Sequence, residues 1–299
     1  MPGRLFARAE PRAFFEVIAM TPLPEQTVLV TGSSDGLGRA LALELAQGGA
    51  RVLLHGRDPE RLRETEAEIR ERTGNTSLQT YLADFSALEE VGGLADAVAN
   101  GHEQLDALVN NAGIGTSLPG DGAHMESRDG YELRFAVNYL AHFALTRALI
   151  PVLVRSAPAR IVNVSSAGQA PIDFDDVMLE RDYRGVQAYC QSKLAQIMFT
   201  FDLADELDAA SVTANSLHPA TFMPTKIVHA AGVRPASTLE AGVAATMRLV
   251  ADPALDGVTG RYFDGQAESR AHRQAYDGAA RRRLRELSEQ LVREPARKR

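Results

Sequence analysis

Thr27-Val28-Leu29-Val30-Thr31-Gly32-Ser33-Ser34-Asp35-Gly36-Leu37-Gly38 is a short apolar, β-branched run that breaks into three spaced glycines and then enters an Ala- and Leu-rich stretch, Leu37 to Gln47. A strand, a glycine turn and a helix in immediate succession bring a helix N-terminus to the end of a strand. The glycines permit a tight turn, close approach of a pyrophosphate to the backbone, and packing of helix on strand, while the first helical N–H groups stay available to an anion. The spacing is Gly-x-x-x-Gly-x-Gly and not the commoner Gly-x-Gly-x-x-Gly. Alone, such a cluster fits an ordinary turn equally well, so the rest of the chain decides.

Outward from this stretch, short apolar runs alternate with helix-length segments. Strands are predicted at Thr27–Thr31, Arg51–His55, Leu78–Leu82, Ala107–Asn110, Arg160–Val164, Val212–Leu217 and Gly260–Phe263. Gly48-Gly49 stops the first helix; Asp58-Pro59 opens a charged one that runs to about Arg72, before Thr73-Gly74-Asn75. This alternation predicts an α/β fold: a doubly wound parallel sheet of the Rossmann type, with about seven strands buried on both faces and helices on either side. Such sheets bind ligands at the carboxyl ends of their strands.

The chain has 299 residues, enough for one sizeable core, and the expected division is a variable extension over 1–25 followed by a single domain over 26–299. Either Met1 or Met20 could be the true start, and the apolar piece Ala13 to Met20 is broken by Glu16, unlike a signal peptide. No run of about 18 uncharged apolar residues is present, so no transmembrane segment is expected. The net charge of -7 argues against nucleic acid as a partner. Cys190 is the single cysteine, which precludes an internal disulfide and suits a reducing, cytoplasmic setting. His55, His124, His142 and His229 show no ligand spacing, so no metal is expected. Arg281-Arg282-Arg283 and Arg297-Lys298-Arg299 are interleaved with Glu286, Glu289 and Glu294 and read as a solvated helix face.

Four further blocks follow the glycine loop in order: Asn110-Asn111-Ala112-Gly113, Asn138 within Val137-Asn138-Tyr139, Val164-Ser165-Ser166, and Tyr189-Cys190-Gln191-Ser192-Lys193. On these five blocks the chain, from Gln26 onward, resembles the short-chain dehydrogenase/reductase family. The run Arg160 to Ser166, the long insert before Tyr189, and Gly260-Arg261-Tyr262-Phe263 with Ala275-Tyr276-Asp277 resemble its retinol dehydrogenase-like branch. The resemblance implies reversible hydride transfer between a nicotinamide dinucleotide and a small alcohol or carbonyl. It assigns Asn138, Ser166, Tyr189 and Lys193 to catalysis, with Asn138 positioning a water that links Lys193 to solvent. Ser165 is the alternative serine. The family often forms homo-oligomers, so a homo-oligomer is a possible assembly.

The chemistry also follows from residue types. Tyr189 and Lys193 are four apart, so a helix sets them on one face. In isolation that pairing is ordinary surface decoration. Beside a serine at a strand end and an anion-binding loop, it becomes a phenol whose pKa an ammonium is expected to lower, usable as a general acid or base. A protein that binds the cofactor as a redox sensor without turnover is the second reading, and it has no need to keep Ser166, Tyr189 and Lys193 together.

Cofactor choice turns on Leu54-His55-Gly56-Arg57. An acidic residue at this strand end would bind the ribose 2′-hydroxyl of NAD; Gly56 stands there instead, and Arg57 can pair with a 2′-phosphate. NADP is expected ahead of NAD, although Asp35 occupies a loop position that is basic in many NADP-using relatives. Gly32, Ser33, Ser34, Gly36, Leu37, Gly38, Arg57, Asn111, Ala112, Gly113, Tyr189, Lys193 and Pro219 are the expected cofactor contacts. The resemblance adds Asp84 and Phe85 at the adenine, and Thr225 at the carboxamide with Thr221 as its alternative. Two segments are expected to shape a partly apolar pocket: the 22 residues between Ser166 and Tyr189, including Phe174, and a lid from Phe222 to Ala236.

Overall fold

The computed structural model describes residues 19–116 and 123–294. Most of the N-terminal extension and the terminal Arg297-Lys298-Arg299 therefore lie outside the described residues. One sheet holds eight strands: β1 (Thr27–Val30), β2 (Arg51–Gly56), β3 (Leu78–Leu82), β4 (Ala107–Asn110), β5 (Ala159–Val164), β6 (Val212–His218), β7 (Arg261–Asp264) and β8 (Ala267–Ser269), in the order β3-β2-β1-β4-β5-β6-β7-β8. The first seven are parallel, and β8 returns antiparallel on β7. Sequence reasoning missed β8, a three-residue exposed strand without apolar alternation.

Helices α1 (Gly36–Gln47), α2 (Pro59–Thr73) and α8 (Leu239–Ala251) cover one face, where Leu41, Leu45, Val52, Leu54, Val162 and Leu249 are buried together. The opposite face carries α3 (Leu88–Gly101), α5 (Ala141–Arg155), α6 (Gly185–Glu206) and α9 (Gly278–Arg293) around Leu29, Leu108, Leu149, Ile161 and Phe199. Strands β1, β4, β5 and β6 are buried throughout, as a two-sided parallel sheet requires. The expectation of burial on both faces fails at the rim, since β3 exposes most of its residues as an edge strand.

The local signals act as their chemistry dictates. The Asp58 carboxylate accepts from Glu60 and Arg61 N–H and caps α2, Pro59 occupies the first turn, and Gly74 ends the helix in the left-handed region. The stretch Leu133–Arg155, formed by α4 (Leu133–Phe135), a π-helical turn at Ala136–Leu140 and α5, is the single one among the described residues with the length and hydropathy of a membrane span. It reads as a core helix: Phe135, Tyr139, Phe143 and Leu149 are buried against the sheet and α6. The basic α9 is less solvated than its charges predict, because Leu284 and Ser288 are buried and Arg281 and Arg285 pair with Asp205 and Asp202 of α6.

Strand order reverses between β1 and β4. The loops after these two strands diverge there and leave a crevice at the carboxyl edge.

Candidate active site

Two glycines show why the loop after β1 has its composition. At Gly32, φ is +66° and a side-chain carbon would lie 2.8 Å from Ala112 Cα; at Gly38 it would lie 2.2 Å from the Gly32 carbonyl oxygen and 2.5 Å from Asn111 Nδ2. The turn, the Asn111-Ala112 segment and the first turn of α1 are thus pressed together. Asn111 Nδ2 donates to the Thr31 carbonyl at 2.8 Å, and the Thr31 hydroxyl accepts from Asn111 N and Ala112 N. Asp35 caps α1 by accepting from Gly36 N at 2.8 Å.

One expected cofactor contact is corrected here. Ser33 is fully buried, and its side chain is bonded to the backbone N–H and carbonyl of His55, so it ties the loop to β2 and does not face the crevice. Ser34 does line the crevice. His55, which sequence reasoning considered solely for metal spacing, has a structural task. Its Nδ1 accepts from Gly32 N at 3.2 Å and its Nε2 meets the Ala83 carbonyl at 3.1 Å, which requires a neutral ring. Burial holds it neutral by pushing its pKa down to about 4. The ring stacks on Phe85, with centroids 4.4 Å apart, and Asp84 and Phe85 line the same end of the crevice.

At the end of β2, a side-chain carbon on Gly56 would come within 2.7 Å of the Leu62 Cδ1 methyl and 3.0 Å of Ser34 Oγ, both ends of side chains that can turn aside, so glycine here leaves the acidic position empty without closing it. Arg57 is exposed on the rim. Arg61, in the first turn of α2, also reaches the rim and lies 3.6 Å from Asp35 and 3.5 Å from Asp58. It supplies a cation beside the acidic loop position, and only folding brings it there.

At the other end of the crevice, β5 delivers Ser166 and α6 delivers Tyr189 and Lys193, and all three line one cavity of about 810 Å³ with the glycine loop, Gly113, Pro219 and Thr225. Ser165 is buried and donates its hydroxyl proton to the Lys193 carbonyl at 2.7 Å, which pins α6 to β5, whereas the Ser166 hydroxyl accepts from Gly168 N at 3.0 Å and keeps its own proton available at the cavity. Ser166 Oγ and the Tyr189 ring meet beside Gly168. The tyrosine pKa departs from the sequence expectation: burial, the largest effect, pushes it up against the influence of the Ser166 side chain, which lowers it. Lys193 is 5 % exposed, and burial lowers its pKa from 10.5 to about 7. Its Nζ donates to the Val164 carbonyl at 3.0 Å and to Gln196 Oε1 at 2.8 Å.

Asn138 sits in the π-helical turn, a device common at functional sites. Its amide donates to the Ile114 carbonyl and to Ser192 Oγ, and its Oδ1 accepts from Ile114 N, so it clamps the segment after β4 to α6.

The burial of Lys193 gives a pH-dependent stability. Between the folded pKa of about 7 and the ordinary 10.5, the unfolded chain binds the proton that the folded one has released, so stability rises with pH across that window, and the full cost of the buried charge is felt below it. Urea unfolding of wild type and Lys193→Met should show the wild type gaining roughly 2 kcal/mol on the variant between pH 7 and pH 9. A constant difference would contradict this.

The two expected pocket segments fare differently. From the first, Ala167 and Gly168 reach the cavity, whereas Phe174 lies under Arg283 of α9 and Ile172 is tied to Gln274 by backbone-to-amide bonds. Phe174 is thus a packing residue. The second supplies Phe222, Met223, Ile227, Val228 and Val233. It contains a short helix, α7 (Lys226–Ala230), whose Lys226 reaches across the mouth to Asp35 at 2.6 Å. Thr225 precedes α7 and packs its methyl on Gly36, while the alternative, Thr221, has its hydroxyl 3.0 Å from His218 Nε2. No group of three or more potential metal-ligating side chains occurs among the described residues.

This geometry, an anion-binding glycine turn at the switch point of a parallel sheet and a Ser-Tyr-Lys cluster at its edge, is that of a nicotinamide-dependent dehydrogenase. The chain belongs to the short-chain dehydrogenase family, whose signature it matches over residues 26–234. It is similar to human retinol dehydrogenase 13, with 36% identity over 288 residues covering 90% of this chain and 85% of the relative. Human retinol dehydrogenase 14 is 35% identical, covering 89% and 86% of the two chains. Among solved structures, a protein from Mycobacterium paratuberculosis superposes with a TM-score of 0.73 at 29% identity, covering 91% and 95%. The NADPH complex of a protein from Escherichia coli CFT073 gives 0.65 at 30% identity, covering 81% and 97%. The family acts on alcohols and carbonyls with NAD or NADP.

Proposed function

We propose that this chain transfers hydride reversibly between NADP(H) and the alcohol or carbonyl of a small apolar substrate. The observation that carries this reading is the convergence of Ser166, Tyr189 and Lys193 on the cavity that also holds the glycine loop. The crevice fits a dinucleotide: Gly32, Gly36 and Gly38 line it with bare backbone, α1 presents its N-terminus there, and Phe85 lies beside Asp84 at one end. Gly36, Leu37, Asn111, Ala112 and Gly113 would lie along the dinucleotide, with Pro219 and Thr225 near its nicotinamide.

A bound nicotinamide supplies or accepts the hydride. In reduction, Tyr189 donates its hydroxyl proton to the carbonyl oxygen, and a phenol raised by burial arrives protonated for that task. Ser166 donates a hydrogen bond to the same oxygen and holds it against Tyr189. Lys193 holds the ribose and offsets charge on the phenolate after transfer. Asn138 braces the backbone opposite and orders a water for reprotonation. Phe222, Ile227, Val228 and Val233 form the apolar wall against which the substrate body rests. The named activity of the retinol dehydrogenase relatives makes all-trans-retinal the first probe.

Arg57 and the lack of a carboxylate at Gly56 favour NADP, and the NADPH complex of a relative supports that choice. NADPH should bind more tightly than NADH, and Arg57→Asp should weaken NADPH about 10- to 100-fold while leaving NADH within a few-fold. Nucleotide fluorescence titration measures both. Tighter binding of NADH by the wild type would overturn the cofactor assignment. NADPH oxidation with all-trans-retinal and a series of aldehydes separates an enzyme from a redox sensor, for which no carbonyl would be consumed.

A further inference from the structure

The wall behind Lys193 is polar where a dehydrogenase needs only packing. Gln196, one turn further along α6, is 1 % exposed, and its Oε1 accepts from Lys193 Nζ at 2.8 Å. Its Nε2 lies 3.3 Å from His142 Nδ1, and the other ring nitrogen of His142 lies 3.2 Å from the Thr31 hydroxyl, where the glycine loop begins. His142 Nδ1 lies 3.0 Å from the Asn138 carbonyl, an acceptor to which it must donate, so the Gln196 NH₂ lies beside the ring without a hydrogen bond to it. The buried bond that bears on the Ser-Tyr-Lys cluster is therefore the one from Lys193 to Gln196.

We propose that Gln196 is a positioning residue that fixes the direction and the protonation of Lys193; the inference rests on the reading of Lys193 as the group that holds the cofactor ribose and supports Tyr189. The Lys193 ammonium has three N–H donors. Val164 and Gln196 carbonyl oxygens take two, so their placement sets where the third points. The groups facing Lys193 are the Tyr189 ring, 5.9 Å away, the Asn138 amide beyond Gly113, and the His142 ring, which burial and its neighbours keep neutral with a pKa near 3. No carboxylate hydrogen-bonds Lys193 among the described residues, so the buried charge is sustained by neutral dipoles. Gln196 supplies one of the two. The amide cannot turn over without pointing its NH₂ at the ammonium, so the bond to Lys193 itself fixes which end of Gln196 faces it.

The test is the pH dependence of NADPH affinity, read by nucleotide fluorescence, together with kcat for reduction of all-trans-retinal. In the wild type, Kd should rise as pH increases through the Lys193 titration, because the cationic form binds the cofactor. Gln196→Leu should move that step down by about one pH unit and lower kcat about ten-fold at neutral pH, with the KM for retinal unchanged. Gln196→Glu, which keeps the acceptor and adds a charge, should move the step up by about one unit and restore kcat to within about three-fold of wild type. Steps at one common pH in all three proteins would overturn the proposal, as would loss of activity in Gln196→Leu without a shift. If Gln196→Leu does not fold, Gln196→Glu decides alone, since an unmoved step there refutes the role. Lys193→Met should abolish the step. Its persistence in that variant would remove the assignment of Lys193 itself, a failure distinct from a silent Gln196.

Discussion

Tyr189→Phe is expected to lower kcat for NADPH-dependent reduction of all-trans-retinal by about 10²- to 10⁴-fold, the span that a positioned proton donor contributes. The ring that fills the half-buried wall is kept, so thermal stability and NADPH affinity should stay within a few-fold of wild type. Only the hydroxyl, in the cavity that Ser166 also lines, is lost. Burial raises the phenol's pKa, so in the wild type the reductive direction should hold at neutral pH and alcohol oxidation should accelerate towards alkaline pH as the phenolate forms. Steady-state rates over pH in both directions check this. A variant as active as wild type would mean that another group delivers the proton and that the proposed mechanism is wrong.

Gly38→Ala should have the second large effect, and it acts on binding. A methyl there would stand 2.2 Å from the Gly32 carbonyl oxygen and 2.5 Å from the Asn111 amide, both of them fixed by the bonds that close the glycine turn. Neither neighbour is the free end of a flexible chain, so the turn must open. Overpacking of this kind costs about 1–3 kcal/mol of stability. Because the turn shapes the anion site, NADPH affinity should fall about 100-fold or more, equivalent to about 2.7 kcal/mol. Gly92→Ala is the control: it lies in α3 with no atom within 4 Å of the added carbon, and should gain stability by up to about 1 kcal/mol with unchanged affinity. Equal affinities of the two variants for NADPH would contradict the account of the loop.

Much of this was legible before folding because its causes are local. The glycine spacing, the β-branched runs and the Asp58-Pro59 helix start act over a few residues, and the strands and first two helices lie within one or two residues of their predicted bounds. Tyr189 and Lys193 share a helix face for the same reason. The failures that bear on the site are long-range. Ser33 reads as one more polar loop residue, yet β2 claims its hydroxyl through contacts 22 residues away. Phe174 sits in a segment that suggests a pocket but is drawn under α9 by Arg283, 109 residues further on. The upward shift of the Tyr189 pKa required knowledge of its burial, which no i, i+4 spacing contains.

The sequence by itself determined the alternating architecture, the family and the residue types at the candidate site, since helix and strand periods, turn chemistry and ordered motifs are properties of neighbouring residues. The tertiary structure decided which polar groups face the crevice and which are taken up in holding it. His55 under the glycine loop, Arg61 and Lys226 about Asp35, and Gln196 between Lys193 and His142 all come from separate elements. Their roles arise from desolvation and hydrogen-bond distance, and both exist only once the sheet has brought those elements together.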